Sequence, residues 1–161
     1  MYEAVKAAVP EEKNVGSADF KIDNGKLTGY TGTDLCVKVP NGVIMIEKTA
    51  FSGKSGIVSV TLPDSVKVIA DAAFSGCANL VEVNLNRGLL AIGTNAFIGC
   101  PKLAIIYVPA SVRHIGGFAF NTSGKIEVLC EAKERPFGWV DTAFSASAGS
   151  SIRAKFDIKN A

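Results

Sequence analysis

A chain of 161 residues with 48% hydrophobic and 20% charged side chains has enough apolar material for one domain with a continuous core, which excludes a disordered chain. Lys and Arg number 17 against 15 Asp and Glu, so the net charge of +2, without a basic cluster, excludes nucleic acid as an expected partner. Four cysteines, Cys36, Cys77, Cys100 and Cys130, are too few and too widely spaced for a disulfide-framework miniprotein, and no C-x-x-C pair suggests zinc.

At the N-terminus, Glu3 and Lys6 interrupt Met1–Val9, so this stretch lacks the long apolar region of a secretory signal. Nothing later is long and apolar enough to span a bilayer, and no membrane insertion is expected. Residues 1–19 are expected to be a short helix through Val9, broken at Pro10, or a linker remnant. Residues 20–34 carry Asn24-Gly25, the dipeptide that best tolerates positive φ in a two-residue turn, so a hairpin capping the next coil is predicted.

From residue 35 the chain repeats. Phe51, Phe74, Phe97 and Phe120 recur at intervals of 23, each preceded by alanine: Ala50, Ala73, Ala96 and Ala119. Ile46, Ile69, Ile92 and Ile115 form another column, and Val43, Val66, Leu89 and Val112 a third. Pro40, Pro63 and Pro109 share a fourth, with Asn86 as the departure. Columns filled by one residue type at a fixed period of this size mark stacked coils, because one coil cannot bury its apolar face alone. Between the columns, Val58–Leu62, Val81–Leu85 and Ala104–Val108 alternate with period two and stand in register, as does Leu35–Val39 one coil earlier. Each reads as a strand with one buried face, ended by proline or asparagine.

Strict spacing fails once. It would turn Glu127, Leu129 and Glu131 inward after the fourth phenylalanine, and two buried unpaired carboxylates are too costly. Removing one residue from the loop after Phe120 points Ile126, Val128 and Cys130 inward instead, and an interval of 24 to Phe144 restores the phase. The repeats therefore run over 35–130. Residues 131–161 are expected to cap the far end, with Pro136–Trp139 supplying aromatic area and Ser151–Phe156 a closing strand.

These columns resemble the BspA-like leucine-rich repeats, whose unit reads approximately L-x-x-I-x-(I/L)-P-x-x-V-x-x-I-g-x-x-A-F-x-g-C. Leu80–Leu85, Leu89–Cys100 and Leu103 follow that unit closely, and the resemblance covers residues 20–156. Thr28–Gly32, Cys130–Ala132 and Gly138-Trp139 look like the family's flanking segments, while Lys54 for cysteine, Asn86 for proline and the short loop at Asn121–Gly124 depart from its unit. The resemblance implies a right-handed leucine-rich-repeat coil stack with a parallel β-sheet on one face and short helical or irregular convex segments. It also implies a protein that adheres to or recognises other proteins, mostly at bacterial cell surfaces or after secretion, with no catalytic residue to carry over.

The residues themselves offer little chemistry. His114 is the single histidine, and without a nucleophile or carboxylate partner it reads as an ordinary convex-side residue. Cys77 and Cys100 hold equivalent places in adjacent coils, one strand spacing of ~4.8 Å apart, and read as small buried fillers of a ladder position in preference to a disulfide or reactive thiols. Asp64 and Asp71 do not recur as calcium-binding solenoids require, and Ser52–Lys54 and Ile115–Gly117 lack the spacing of phosphate-cradling loops. No cofactor, metal or enzymatic activity is expected.

What remains is the outward side of the strands. Cys36, Ser59, Glu82, Ile105 and Glu127 make one row, and Lys38, Thr61, Asn84, Tyr107 and Leu129 the other. Ile105, Tyr107 and Leu129 come together within a polar surround, which matches the centre of an interface with a protein partner. Partner-binding residues are accordingly Tyr107, Ile105, Leu129, Asn84, Glu82, Glu127, Thr61 and Ser59, on a monomeric chain. Two alternatives stay open: that the patch contacts the C-terminal segment around Trp139, and that the solenoid is a structural spacer or stalk within a larger surface protein.

Overall fold

The computed structural model describes residues 17–158. The helix or linker expected over 1–19 falls mostly outside them; Ser17–Asp19 form a single 3-10 turn. Next come β1 (Phe20–Asp23) and β2 (Lys26–Tyr30), paired antiparallel around Asn24 and Gly25, whose φ values of 47° and 76° suit the tight hairpin turn. From there the chain winds as a β-solenoid of stacked coils.

Each of the first four coils contributes two strands, and the last two contribute one each. On one side lie β3 (Cys36–Lys38), β5 (Ser59–Thr61) and β7 (Glu82–Asn84), followed by β9 (Ile105–Val108), β11 (Lys125–Cys130) and β12 (Ser151–Lys155). They form two parallel three-stranded ladders, β3-β5-β7 and β9-β11-β12, with β7 beside β9. On the other side lie the two-residue strands β4 (Met45–Ile46), β6 (Val68–Ile69), β8 (Ala91–Ile92) and β10 (His114–Ile115), which join β1 and β2 in one sheet of six. This second ladder replaces the helical convex segments that the resemblance allows. Three residues beyond each of these strands, Thr49, Ala72, Asn95 and Phe118 take a positive φ between 52° and 58°, outside the right-handed helical region, directly before the Ala-Phe pair. Among the described residues after the hairpin, the one helical piece is the 3-10 turn Asp141–Phe144.

The core is a stack of rings. Phe51, Phe74, Phe97, Phe120 and Phe144 succeed one another with centroids 5.0, 5.4, 6.1 and 5.8 Å apart and planes within 13° of parallel. The first four are fully buried, beside equally buried columns of Val43, Val66, Leu89, Val112 and of Ile46, Ile69, Ile92, Ile115. Each buried phenylalanine contributes about 1.5–3 kcal/mol of transfer free energy, and ring pairing adds about 0.5–1.5 kcal/mol. Tyr30 and Phe20 carry the stack on into the hairpin, at 5.5 and 5.0 Å. At the far end Trp139 is buried against Phe144 and Phe156, with its indole N–H donating to the Val112 carbonyl at 3.3 Å.

The one-residue loop deletion is present. Ile126, Val128 and Cys130 are buried, and Glu127 and Leu129 pair in register with Ile105 and Tyr107. The glycine column at Gly53, Gly76 and Gly99, with φ near 70°, does not continue at Thr122; the left-handed residue is Ser123 instead. Thr122 is buried there, and its hydroxyl has no hydrogen-bond partner among the described residues. The broken repeat thus places a buried threonine where the preceding coils have Gly53, Gly76 and Gly99.

Candidate interaction face

The outward side of the strands is the surface on which the repeats do not impose identity. Alternation along each strand sends Val37, Val60, Val83, Ile106 and Val128 inward and leaves their neighbours outward. Register then aligns those neighbours in two rows. One runs Cys36, Ser59 and Glu82 on the first ladder and Ile105, Glu127 and Arg153 on the second. The other runs Lys38, Thr61 and Asn84, then Tyr107, Leu129 and Lys155.

Depth varies along the rows. Ser59, Glu82 and Ile105 are each only 7% exposed and Cys36 5%, whereas Thr61, Asn84, Tyr107, Leu129 and Glu127 are half-buried. A side chain flanked by in-register neighbours at strand spacing of ~4.8 Å keeps little solvent when it is as short as Ser59. The apolar patch expected from Ile105, Tyr107 and Leu129 is therefore carried at the surface by Tyr107 and Leu129, with Ile105 beneath. Trp139 does not cover it, since its indole lies in the ring stack.

Sequence reasoning missed the cations that extend the rows. Arg153 and Lys155 on β12 lie beside Glu127, with nitrogen–oxygen distances of 3.9 and 3.3 Å to its Oε1. Arg87, in the turn after β7, reaches Glu131 at 3.5 Å, and Glu131 also accepts the Ala110 backbone N–H at 3.1 Å. Alternation within Ser151–Phe156 was the available signal: a strand there with Ile152 inward places both cations outward.

The groups with potential reactivity are held as structural elements. The Cys77 and Cys100 thiols donate to the Phe51 and Phe74 carbonyls, each at 3.1 Å, and all four cysteines are free and buried. Hydrogen bonding to Cys77, and then burial, pushes the Cys100 thiol up, while burial alone pushes Cys130 up to about 12, so neither is a thiolate at neutral pH. His114 is exposed on the second sheet, lining a shallow groove of about 430 Å³ with Met45, Val68 and Ala91. The nearby ion pair joins Lys48 to Asp71 at 3.5 Å, and Asp71 accepts the Thr94 backbone N–H, so that carboxylate ties coil to coil. Among the described residues no three His, Cys, Asp or Glu side chains group to hold a metal, and no helix is long and apolar enough to cross a membrane.

A BspA-type leucine-rich repeat region, in six copies, matches residues 35–133. Among solved structures the chain is similar to a leucine-rich cell surface protein of Faecalibacterium prausnitzii, with 26% identity and a TM-score of 0.64 over 80% of this chain and 35% of that one. A leucine-rich repeat protein of T. pallidum aligns at 26% identity and a TM-score of 0.57, over 73% of this chain and 71% of that one. The pneumococcal vaccine antigen PcpA shares the fold, with a TM-score of 0.69 at 19% identity over 88% of this chain and 35% of that one. The chain thus spans about a third of the length of two of these relatives. No curated protein matches it.

Proposed function

This chain belongs to the BspA-type leucine-rich repeat family, and on that premise we propose that it is a non-catalytic recognition module that binds a protein partner through the face of β3, β5, β7, β9, β11 and β12. The observation that carries this reading is the contrast between the two sides of those strands. Inward positions repeat from coil to coil, as packing demands. Outward positions change from Ser59 to Glu82 to Ile105 to Glu127, a sequence of residues that stacking does not require. Tyr107 and Leu129 supply the aromatic and aliphatic contacts around which interface energy concentrates, and Asn84, Thr61 and Glu127 the polar surround. A surface location is supported by the similarity to a cell surface protein.

The competing reading is a spacer or stalk, in which the same solenoid holds neighbouring domains apart and its sheet face binds nothing. The two are separated by capture from a bacterial surface extract, with bound proteins identified by mass spectrometry, using the parent chain and Tyr107→Ala. Recognition predicts a species captured by the parent and lost with Tyr107→Ala, whose melting temperature stays within ~2 °C of the parent because a half-buried outward side chain contributes little to the core. Identical capture by both proteins would leave the sheet face without a role.

A further inference from the structure

Formal charge on the sheet face is close to balanced, but accessible charge is not. The acids sit low. Glu82 is 7% exposed, and the side chains of Glu127 and Glu131 are 25% and 17% exposed. The cations paired with them stand high, with Arg87 at 76%, Arg153 at 74% and Lys155 at 45%, and Lys38 is exposed at the first strand. The cause is side-chain length. A glutamate on a pleated strand keeps its carboxylate within the rows, whereas arginine and lysine lay their aliphatic stems along the surface and carry the charge beyond it. Asp64, exposed in the turn after β5, and Asp157, exposed two residues beyond Lys155, are the counterweights at the two margins.

An approaching molecule therefore meets guanidinium and ammonium groups first, with Tyr107 and Leu129 between those of β12 and Arg87. Resting on the recognition reading above, the geometry points to a partner of one kind: an extended polypeptide segment with Asp or Glu side chains flanking at least one apolar residue. The carboxylates bind Arg153, Lys155 and Arg87, competing with Glu127 and Glu131 for the same donors, and the apolar residue lies on Tyr107 and Leu129. Six strands at ~4.8 Å give a face ~24 Å long, which about seven or eight extended residues span. Nucleic acid and anionic lipid fit less well, since the cations are interleaved with carboxylates and the chain's net charge is only +2.

The test is fluorescence anisotropy with a dye-labelled peptide in which glutamates alternate with leucine and phenylalanine, and with its lysine-for-glutamate counterpart, on the parent chain. A single-stranded oligonucleotide and phosphatidylserine vesicles serve as further probes. The expected result is binding of the acidic peptide that weakens with added salt, at least about tenfold weaker binding of the lysine peptide, and a loss of at least about tenfold in the double variant Arg153→Gln, Lys155→Gln. Lys48→Gln, in the turn after β4 and away from this face, should bind as the parent does. Failure to bind either peptide, or preference for the oligonucleotide or vesicles, overturns the proposal. A preference for the lysine peptide that Tyr107→Ala still weakens overturns the charge assignment while leaving the face as the recognition surface. Acidic-peptide binding indifferent to both Tyr107→Ala and the double variant would remove the surface itself.

Discussion

The inward and outward sides of the same strands are built by opposite rules. Val60, Val83, Ile106 and Val128 face a stack in which each coil must present nearly the same shape to the next, and all are 5% exposed or less. One residue away, Ser59, Glu82, Ile105 and Glu127 share the same backbone register yet run from hydroxyl to carboxylate to aliphatic and back to carboxylate. The difference teaches where the repeat is constrained: close packing fixes side chains that touch two neighbouring coils, whereas a row at strand spacing on the outer surface accepts serine, glutamate or isoleucine in turn.

The largest expected effect lies on the inner side. Phe97→Ala removes a ring held between Phe74 and Phe120 and should cost about 3–5 kcal/mol in urea unfolding, with a lowered melting temperature. A loss below about 1 kcal/mol would mean that the stack is not what joins the coils. A smaller effect sharpens the comparison at the hairpin end, where Tyr30 continues the ring stack but ends in a hydroxyl that donates to Asp34 at 3.2 Å. Burial, with the Asp34 carboxylate adding to it, raises this phenol from 10.0 to about 12. A group whose folded value is raised contributes nothing to pH dependence below the unfolded value and loses stability as pH rises toward the folded one. Stability should thus fall between pH 10 and 12, with the phenolate absorbance of Tyr30 appearing only near the upper end. Tyr30→Phe should flatten that fall, and an unchanged alkaline profile would place the tyrosine outside the stack.

The inner side was legible in the sequence because its constraint repeats. Columns of phenylalanine, isoleucine and alanine give the period, and the cost of burying Glu127 and Glu131 locates the single deletion, after which Phe144 falls into the stack. Tyr30 and Phe20 were harder to see as members of the same stack, since the hairpin reaches the ring positions by antiparallel pairing instead of by a coil of 23 residues. The second ladder was hidden for another reason. Its strands are two residues long, too short for alternation to register, and the turns that follow them take positive φ at Thr49, Ala72 and Phe118, residue types that do not announce that conformation. On the outer side the sequence yielded the rows but not their depth. Burial of Ser59, Glu82 and Ile105, and the way Arg153 and Lys155 reach over Glu127, depend on what neighbouring strands place alongside, which one strand's pattern does not contain.

The division between the two sides is tested most directly by one substitution made twice, at adjacent aliphatic residues of β11. Val128→Glu places a carboxylate in the core, and Leu129→Glu places one on the face beside Lys155. Thermal unfolding followed by far-ultraviolet circular dichroism should show Val128→Glu without a cooperative transition and Leu129→Glu melting within ~3 °C of the parent. Equal losses in both proteins, or the larger loss in Leu129→Glu, would contradict it.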